Sequence, residues 1–356
     1  DEFQILQVRW RSLQYDRSIL SLTIAPTLAC NLSCSYCFEA SQSISMKEHT
    51  ECAIASFVES YLQGGSQTLA VTWYGGEPLL ALASVERLSR RFETLVERFR
   101  VGYRATMVTN GTLLTREVAD RLLALRIGTI QVTLDGPPTV HDRRRPFSKG
   151  AGSYETIVQN LKNLKEGLWV TIRINVDRTN FAEALSFAES LRQEPWFDAQ
   201  RMHLYLGHVR VQTTSCRCPE EVVLEAAEVD RQAFEILRRA VASGTQEPRY
   251  PSLGSGCTAT HVQSFVVGPS GELYRCWNHV GDSSRVVGSV FEPLEPKPLY
   301  LRYLLEGFEQ DVECRSCRYL PLCLGGCPDL RLKARERGRT EKGCAEWKHP
   351  LEASFP

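Results

Sequence analysis

From about residue 19 to residue 212 the chain repeats one unit six times: a short β-rich run, a turn, then an amphipathic helical stretch. The six runs are ILSLTIAPT, TLAVTWYGG, RATMVTNG, TIQVTLDG, WVTIRINVD and MHLYLGHVR. After the second run Val85, Leu88, Phe92, Leu95, Val96 and Phe99 recur at helical spacing and mark one buried face. Asn180 stands where it can cap the helix that opens at Phe181. Alternation of this kind requires a parallel sheet with right-handed crossovers. Eight units close a full barrel, so six predict an α/β fold of the open kind, a partial (β/α)6 TIM-like barrel.

That fold class also predicts where chemistry sits, namely on the loops that leave the C-terminal ends of the strands. The unusual residues of this sequence lie on those loops. Cys30, Cys34 and Cys37 follow the first run, and YGGEP, TNGTLL and LDGPPTVHD follow the second, third and fourth. The three cysteines pose a specific problem, because a tetrahedral metal ion takes four ligands. A 4Fe–4S cluster that only carries electrons takes one thiolate per iron. Three thiolates leave one iron free to chelate a small molecule, as an open zinc site does. Zinc is the alternative, although a spacing of three and then two residues suits it poorly.

Composition narrows the partners. The chain has 356 residues, 43% of them hydrophobic and 24% charged, with a formal net charge of zero. No overall field recruits nucleic acid or an anionic membrane, and no apolar run is long enough to span a bilayer. The sequence opens on Asp1 rather than Met, with no signal-peptide pattern, which is consistent with a start inside a longer protein. Most of the thirteen cysteines fall into tight local groups, which favours metal over disulfides and predicts a cytoplasmic location. Cys52, on an expected helix, reads as core packing.

The C-x3-C-x2-C pattern with Tyr36 before its last cysteine resembles the radical S-adenosylmethionine superfamily. The resemblance runs over roughly residues 20 to 212. It implies that Cys30, Cys34 and Cys37 hold a cluster whose open iron binds the amino and carboxylate groups of S-adenosylmethionine. An electron from that cluster breaks the carbon–sulfur bond and releases a 5'-deoxyadenosyl radical. Gly75, Gly76, Glu77 and Pro78 match the loop that holds the methionine amino group. Thr109, Asn110, Thr133 and Asp135 stand where small polar groups line the cofactor pocket. Arg173 and Asn175 alternate onto one strand face, and an arginine there suits the cofactor's carboxylate. The loop with His141 and Asp142 resembles the peptide-modifying branch. Taken without the family, GGEP and TNG are turns, His141 and Asp142 brace a loop, and Arg143 to Arg145 is a solvated or cap-stabilising charge run.

Later in the chain PEEVVLEAAEVDRQAFEILRRAVASG reads as one bridging helix, and SFVVGPSGELYRCW as a hairpin turning at Gly268 to Gly271. The cysteines beyond are Cys257, Cys276, Cys314, Cys317, Cys323, Cys327 and Cys344. Their order resembles the SPASM auxiliary domain, which binds two further 4Fe–4S clusters. By position Cys314, Cys317, Cys323 and Cys344 form one set, and Cys257, Cys276 and Cys327 begin the other. Its fourth ligand stays open between substrate, water, His261 and Cys216 or Cys218, although that pair reads first as free thiols. A structural zinc pair is the alternative for the whole region. The domains expected are a lead-in (1–18), the partial barrel (19–213), a bridging helix and linker (214–254) and the auxiliary domain (255–350). Three clusters imply about twelve irons per chain.

The resemblance implies a maturase of a ribosomally made precursor peptide, forming a carbon–carbon or thioether cross-link with an external electron donor. Many such relatives begin with a domain that grips the leader peptide. The residues before the first strand are too few for one, so a separate protein supplies it, it has been removed, or leader binding is dispensed with. The alternative within the family is an anaerobic sulfatase maturase, which places an Asp after the second auxiliary cysteine as proton acceptor. Trp277 stands there instead, and Asp282 is the nearby carboxylate that could serve as base. An iron–sulfur electron carrier is the rival from another class.

Overall fold

The computed structural model describes residues 1–39, 41–164, 166–210, 213, 216, 220–224, 256–338 and 344. Six parallel strands form where the alternation places them: β1 (Ile19–Ile24), β2 (Thr68–Trp73), β3 (Gly102–Val108), β4 (Ile127–Thr133), β5 (Trp169–Val176) and β6 (Met202–His208). Each pairs in parallel with the next. Helices intervene: α1 (Glu2–Gln14) precedes β1, α2 (Glu48–Gln63) follows it and α3 (Leu82–Phe99) follows β2. The chain continues through α4 (Arg116–Ala124), α5 (Pro138–Arg144), α6 (Tyr154–Lys162) and α7 (Phe181–Leu191).

Period-two patterning decides which face of the sheet the helices cover. Leu20, Leu22 and Ile24 of β1 and Leu69, Val71 and Trp73 of β2 are buried in one core with Ile54 and Val58 of α2 and Leu88 and Phe92 of α3. The opposite face carries Ser21, Thr23, Thr72 and Thr106, and the Thr72 and Thr106 hydroxyls share a hydrogen bond of 3.0 Å. The apolar face fixes the sheet under its helices; the polar face leaves room for a ligand.

The cysteine-rich region adds to this sheet. β7 (Ser264–Val267) pairs in parallel with β1, then turns at Gly268–Gly271 into antiparallel β8 (Glu272–Tyr274), followed by β9 (Gly288–Ser289). The nine strands run in the order β6-β5-β4-β3-β2-β1-β7-β8-β9. The expected hairpin is therefore present, and it sits on the free edge of the barrel next to the cysteine-bearing loop.

Three expectations are corrected. Cys52 on α2 is exposed rather than packed in the core, because it falls between the buried positions Glu51 and Ile54. Asn180 stands at the N-cap position of α7 but does not cap it. Its amide donates to the carbonyls of Asp135 and Asn175, both at 2.9 Å, and so ties the β4 and β5 loops together. Cys216 is disulfide-bonded rather than a free thiol. The expected bridging helix opens with a 3-10 turn at Glu220–Val222, and from residue 225 it lies outside the described residues, as does Cys218.

β1 carries both of its neighbours, β2 and β7, so a cavity beneath it loosens both parts of the sheet. Leu22→Ala removes a fully buried side chain and should lower unfolding free energy by about 2–5 kcal/mol. A urea titration followed by circular dichroism would contradict this assignment if the midpoint did not move.

Candidate functional site

The first contacts that hold the loop after β1 are made by backbone. Gly76 N donates to Thr27 O (3.1 Å) and Glu77 N to Ala29 O (2.9 Å). At this separation no side chain fits. A Cβ on Gly75 would lie 2.4 Å from Thr27 O, and one on Gly76 would lie 2.3 Å from Ala29 O. Gly75 also has φ +107°, which favours glycine. The GG pair is thus required by the approach of the β2 loop to the segment that leads into Cys30.

Glu77 then ties in a third loop. Its carboxylate is fully buried and accepts from the Thr109 hydroxyl (2.7 Å), Asn110 N (2.7 Å) and Leu79 N (3.0 Å). Burial raises its pKa, opposed by those three donors. Glu77 and Pro78 do not line the cavity described below; among the GGEP residues the two glycines do. Asn110 reaches the Cys30 loop in turn, donating to Asn31 Oδ1 at 2.8 Å and lying 3.8 Å from Cys30 Sγ.

The loop after β4 braces the other side. The Tyr36 hydroxyl donates to Asp135 Oδ2 (2.5 Å) and accepts from Arg145 Nη1 (2.6 Å) and Asn175 Nδ2 (3.0 Å). Asp135 Oδ1 accepts from Asn175 N (2.9 Å), and Arg144 joins Asp135 (3.5 Å) to Asp177 (2.6 Å). Asp135 is therefore a buried brace outside the cavity. Arg144 and Arg145 are buried, which corrects the reading of a solvated charge run; Arg143 alone is exposed. The partners Asp177 and Tyr36 come from other loops, so the run itself held no signal.

His141 and Asp142 brace the loop as expected. Asp142 accepts from Tyr154 N (2.8 Å). Asp135 N donates to His141 Nδ1 (3.2 Å), which places the imidazole proton on Nε2, facing Ser153 Oγ at 3.0 Å. Burial first, and then Arg145, lower the His141 pKa to about 4.

These loops surround one cavity of about 760 Å³. Cys30, Cys34, Tyr36, Cys37, Gly75, Gly76, Thr109, Asn110, Thr133, Arg173 and Asn175 all line it. Burial pushes the Cys30 thiol up to about 11 and the Cys37 thiol to about 12, so a bound cation has to hold them as thiolates. Among the described residues no group of three or more His, Cys, Asp or Glu side chains is arranged to hold a single metal ion. The three thiols instead edge a chamber with room for a cluster and a ligand.

Arg173 is aimed by its neighbours. Its Nε donates to Asn175 Oδ1 (2.7 Å), and Nη1 to the Tyr205 hydroxyl (3.3 Å). The guanidinium lies against Gly207 of β6, where a Cβ would come within 2.5 Å of Nε. Gly207 was not singled out from the sequence, since only the β5–β6 pairing reveals what it faces.

The carboxylate proposed as base is not at the cavity. Asp282 is exposed and caps a short 3-10 turn, accepting from Ser284 N (2.9 Å) and Ser284 Oγ (2.6 Å). Trp277, just after Cys276, does line the cavity, and so does Glu39. Burial lifts the Glu39 carboxyl to about 7, opposed by a hydrogen bond from Tyr74.

The later cysteines gather in two places. Cys314, Cys317 and Cys323 pack with Trp10, Leu6 and Leu13 of α1 and with Phe308, Leu320 and Leu324. Cys257 and Cys276 pack against Ala259, Tyr303 and Leu332, and Cys327 lies close enough to raise both of their pKa values. Cys344 is half-buried, and its neighbours in sequence lie outside the described residues.

Residues 24–190 match the model of the Radical SAM superfamily. They form a radical SAM domain. The chain is 24% identical to the cysteine-type anaerobic sulfatase-maturating enzyme of Clostridium perfringens (strain 13 / Type A), over 95% of this chain and 96% of that protein. It superposes on anSMEcpe with bound AdoMet at a TM-score of 0.74, with 20% identity over 95% of this chain and 93% of the other. It superposes on Streptococcus suis SuiB bound to precursor peptide SuiA at 0.65, with 14% identity over 93% and 76%. The chain thus carries a radical SAM domain and is similar along its length to a sulfatase-maturating enzyme. Among the described residues no helix is long and apolar enough to cross a membrane.

Two expectations follow from this geometry. Gly207→Ala displaces the Arg173 guanidinium and should weaken S-adenosylmethionine binding by about tenfold; calorimetric titration showing wild-type affinity would contradict the role of Arg173. Unfolded histidine titrates near 6.5 and His141 near 4, so its stabilising contribution is complete above about pH 6.5 and is lost as pH falls towards 4. Lowering pH from 7 to 5 should therefore lower the melting temperature more in wild type than in His141→Asn. Parallel melting curves would show that the imidazole is not held neutral.

Proposed function

We propose that the chain matures a ribosomally made precursor peptide, taking hydrogen from one residue so that its carbon links to a second by a carbon–carbon or thioether bond. One observation carries the reading: three thiols, the GG backbone and the Arg173–Asn175 pair line a single cavity at the C-terminal ends of six parallel strands. The donor set suits a cluster with one open iron, because among the described residues three thiols line that cavity and no further cysteine does.

Cys30, Cys34 and Cys37 would hold a 4Fe–4S cluster, which when bound would supply the reducing electron for cleavage of S-adenosylmethionine. The chain's part is to position and shield. Gly75 and Gly76 present backbone to the methionine amino group. Arg173, set by Asn175 and Gly207, offers a charge-assisted hydrogen bond to the methionine carboxylate. Tyr36, fixed by Asp135 and Arg145, holds the Cys34–Cys37 segment against the β4 loop. A peptide substrate is supported by the likeness to SuiB, whose structure contains its precursor peptide.

Two auxiliary clusters in the cysteine-rich domain would take the electron that a new bond releases. The grouping of Cys314, Cys317 and Cys323, which Cys344 would complete, and of Cys257, Cys276 and Cys327 supports that assignment. An external donor would reduce the radical-forming cluster, and a separate protein could supply leader binding. Formylglycine formation is the second reading, favoured by similarity along the whole length of a sulfatase-maturating enzyme. Against it stand Trp277 beside Cys276 and the exposed position of Asp282.

Anaerobically reconstituted protein with reductant should turn S-adenosylmethionine into 5'-deoxyadenosine, and replacing Cys30, Cys34 and Cys37 by Ala should abolish this while removing about four of some twelve irons. Cleavage that survives the triple replacement would refute the site. A peptide that loses two hydrogens without gaining aldehyde reactivity supports cross-linking; an aldehyde would move the chain to the formylglycine reading.

A further inference from the structure

One carboxylate faces the cavity with no task in the radical chemistry. Among the described residues that line it, Glu39 is the sole Asp or Glu. One of its oxygens takes a hydrogen bond from the Tyr74 hydroxyl. The other, Oε2, is buried and has no hydrogen-bond partner among the described residues. A buried carboxylate oxygen without a donor is costly, and in a cavity a ligand can supply the missing partner. The arginines that line the cavity are committed elsewhere: Arg145 holds Tyr36, Arg173 holds Asn175 and Tyr205, and Arg210 has an interaction of its own.

The wall beside Glu39 is aromatic. The Tyr74 ring stacks on the Trp277 indole, with centroids 5.5 Å apart and planes at 18°. Trp277 is 46% exposed, so it retains open surface on the cavity side. An unpaired carboxylate oxygen beside an open indole is complementary to a cation, which receives an ionic hydrogen bond from one and a ring-face attraction from the other. A neutral apolar side chain would leave Oε2 unpaired, and an anionic one would face like charge.

We propose that Glu39 and Trp277 form a specificity pocket for a cationic side chain, Lys or Arg, of the peptide. That the occupant is a substrate rests on the peptide-maturase reading; the preference for a cation does not. The pocket lies between the loop that carries Cys37 and the region that carries Cys276, so a residue gripped there is held between the two groups of cysteines.

The test uses reconstituted holoenzyme with S-adenosylmethionine bound, and two capped tripeptides as probes: acetyl-Gly-Lys-Gly-amide and its norleucine counterpart, which lacks the charge. Their affinities are measured by saturation-transfer NMR. Wild type should favour the lysine probe by about tenfold. Glu39→Gln should bring the two within about twofold, and Trp277→Leu, altering a half-exposed side chain, should weaken the lysine probe with S-adenosylmethionine affinity unchanged in both variants. Equal binding of the probes to wild type, or discrimination retained in Glu39→Gln, would overturn the proposal. A loss of cofactor affinity in Glu39→Gln would also overturn it, by assigning the carboxylate to S-adenosylmethionine. If lysine discrimination holds while no 5'-deoxyadenosine forms, the pocket stands and the radical reading fails.

Discussion

Two stretches of backbone lie closer together than side chains permit, and the site depends on that approach. Residues 27–29, entering the cysteine loop, receive Gly76 N and Glu77 N from the loop after β2, at positions where a methyl group would overlap a carbonyl oxygen. Once the two loops are joined, the Glu77 carboxylate adds the loop after β3, and Asn110 returns from that loop to Cys30 and Asn31. A ring of short bonds between neighbouring loops is more rigid than any one loop, and it holds the cysteine-bearing loop in place. The sheet supplies parallel strand ends at nearly the same height, and the loops do the rest.

The polar groups that a sequence reading assigns to cofactor contacts divide into two layers. Gly75, Gly76, Thr109, Asn110, Thr133, Arg173 and Asn175 face the cavity, whereas Glu77 and Asp135 stand behind them with every carboxylate oxygen occupied. The inner carboxylates act on the cofactor site through the residues they hold. Charge follows the same division. Arg144 and Arg145 neutralise the buried Asp135 and Asp177, while Arg173 faces the cavity and Glu39 is the lone acidic lining residue among those described.

Much of this was legible from the chain. Period-two and period-3.6 patterns located all six strands and the α3 face, because those patterns record burial directly. The cysteine spacing and the GG pair were legible for a similar reason: both state a local geometric demand. Contacts between distant segments were not. Nothing in the run Arg143–Arg145 shows that two of its members turn inward to partners from other loops. The capping position of Asn180 is visible in the sequence, but its use as a stitch between β4 and β5 requires the loop register. Glu39 and Asp282 make the sharpest pair. Both are isolated carboxylates near cysteines, and only the packing of Tyr74 against Trp277 puts the first in the cavity, while a serine two residues on draws the second into a surface turn.

The central claim is that the three thiols Cys30, Cys34 and Cys37 hold a cluster whose fourth iron the chain leaves open to S-adenosylmethionine. It is tested most directly by electron paramagnetic resonance of reduced protein in which the seven later cysteines are replaced, so that a single cluster remains. Adding S-adenosylmethionine labelled with ¹⁷O or ¹⁵N in its methionine part should change the signal and give a hyperfine coupling to the label. A signal unaltered by the cofactor, with no coupling, would mean that the iron is already filled and that the site carries electrons without making radicals.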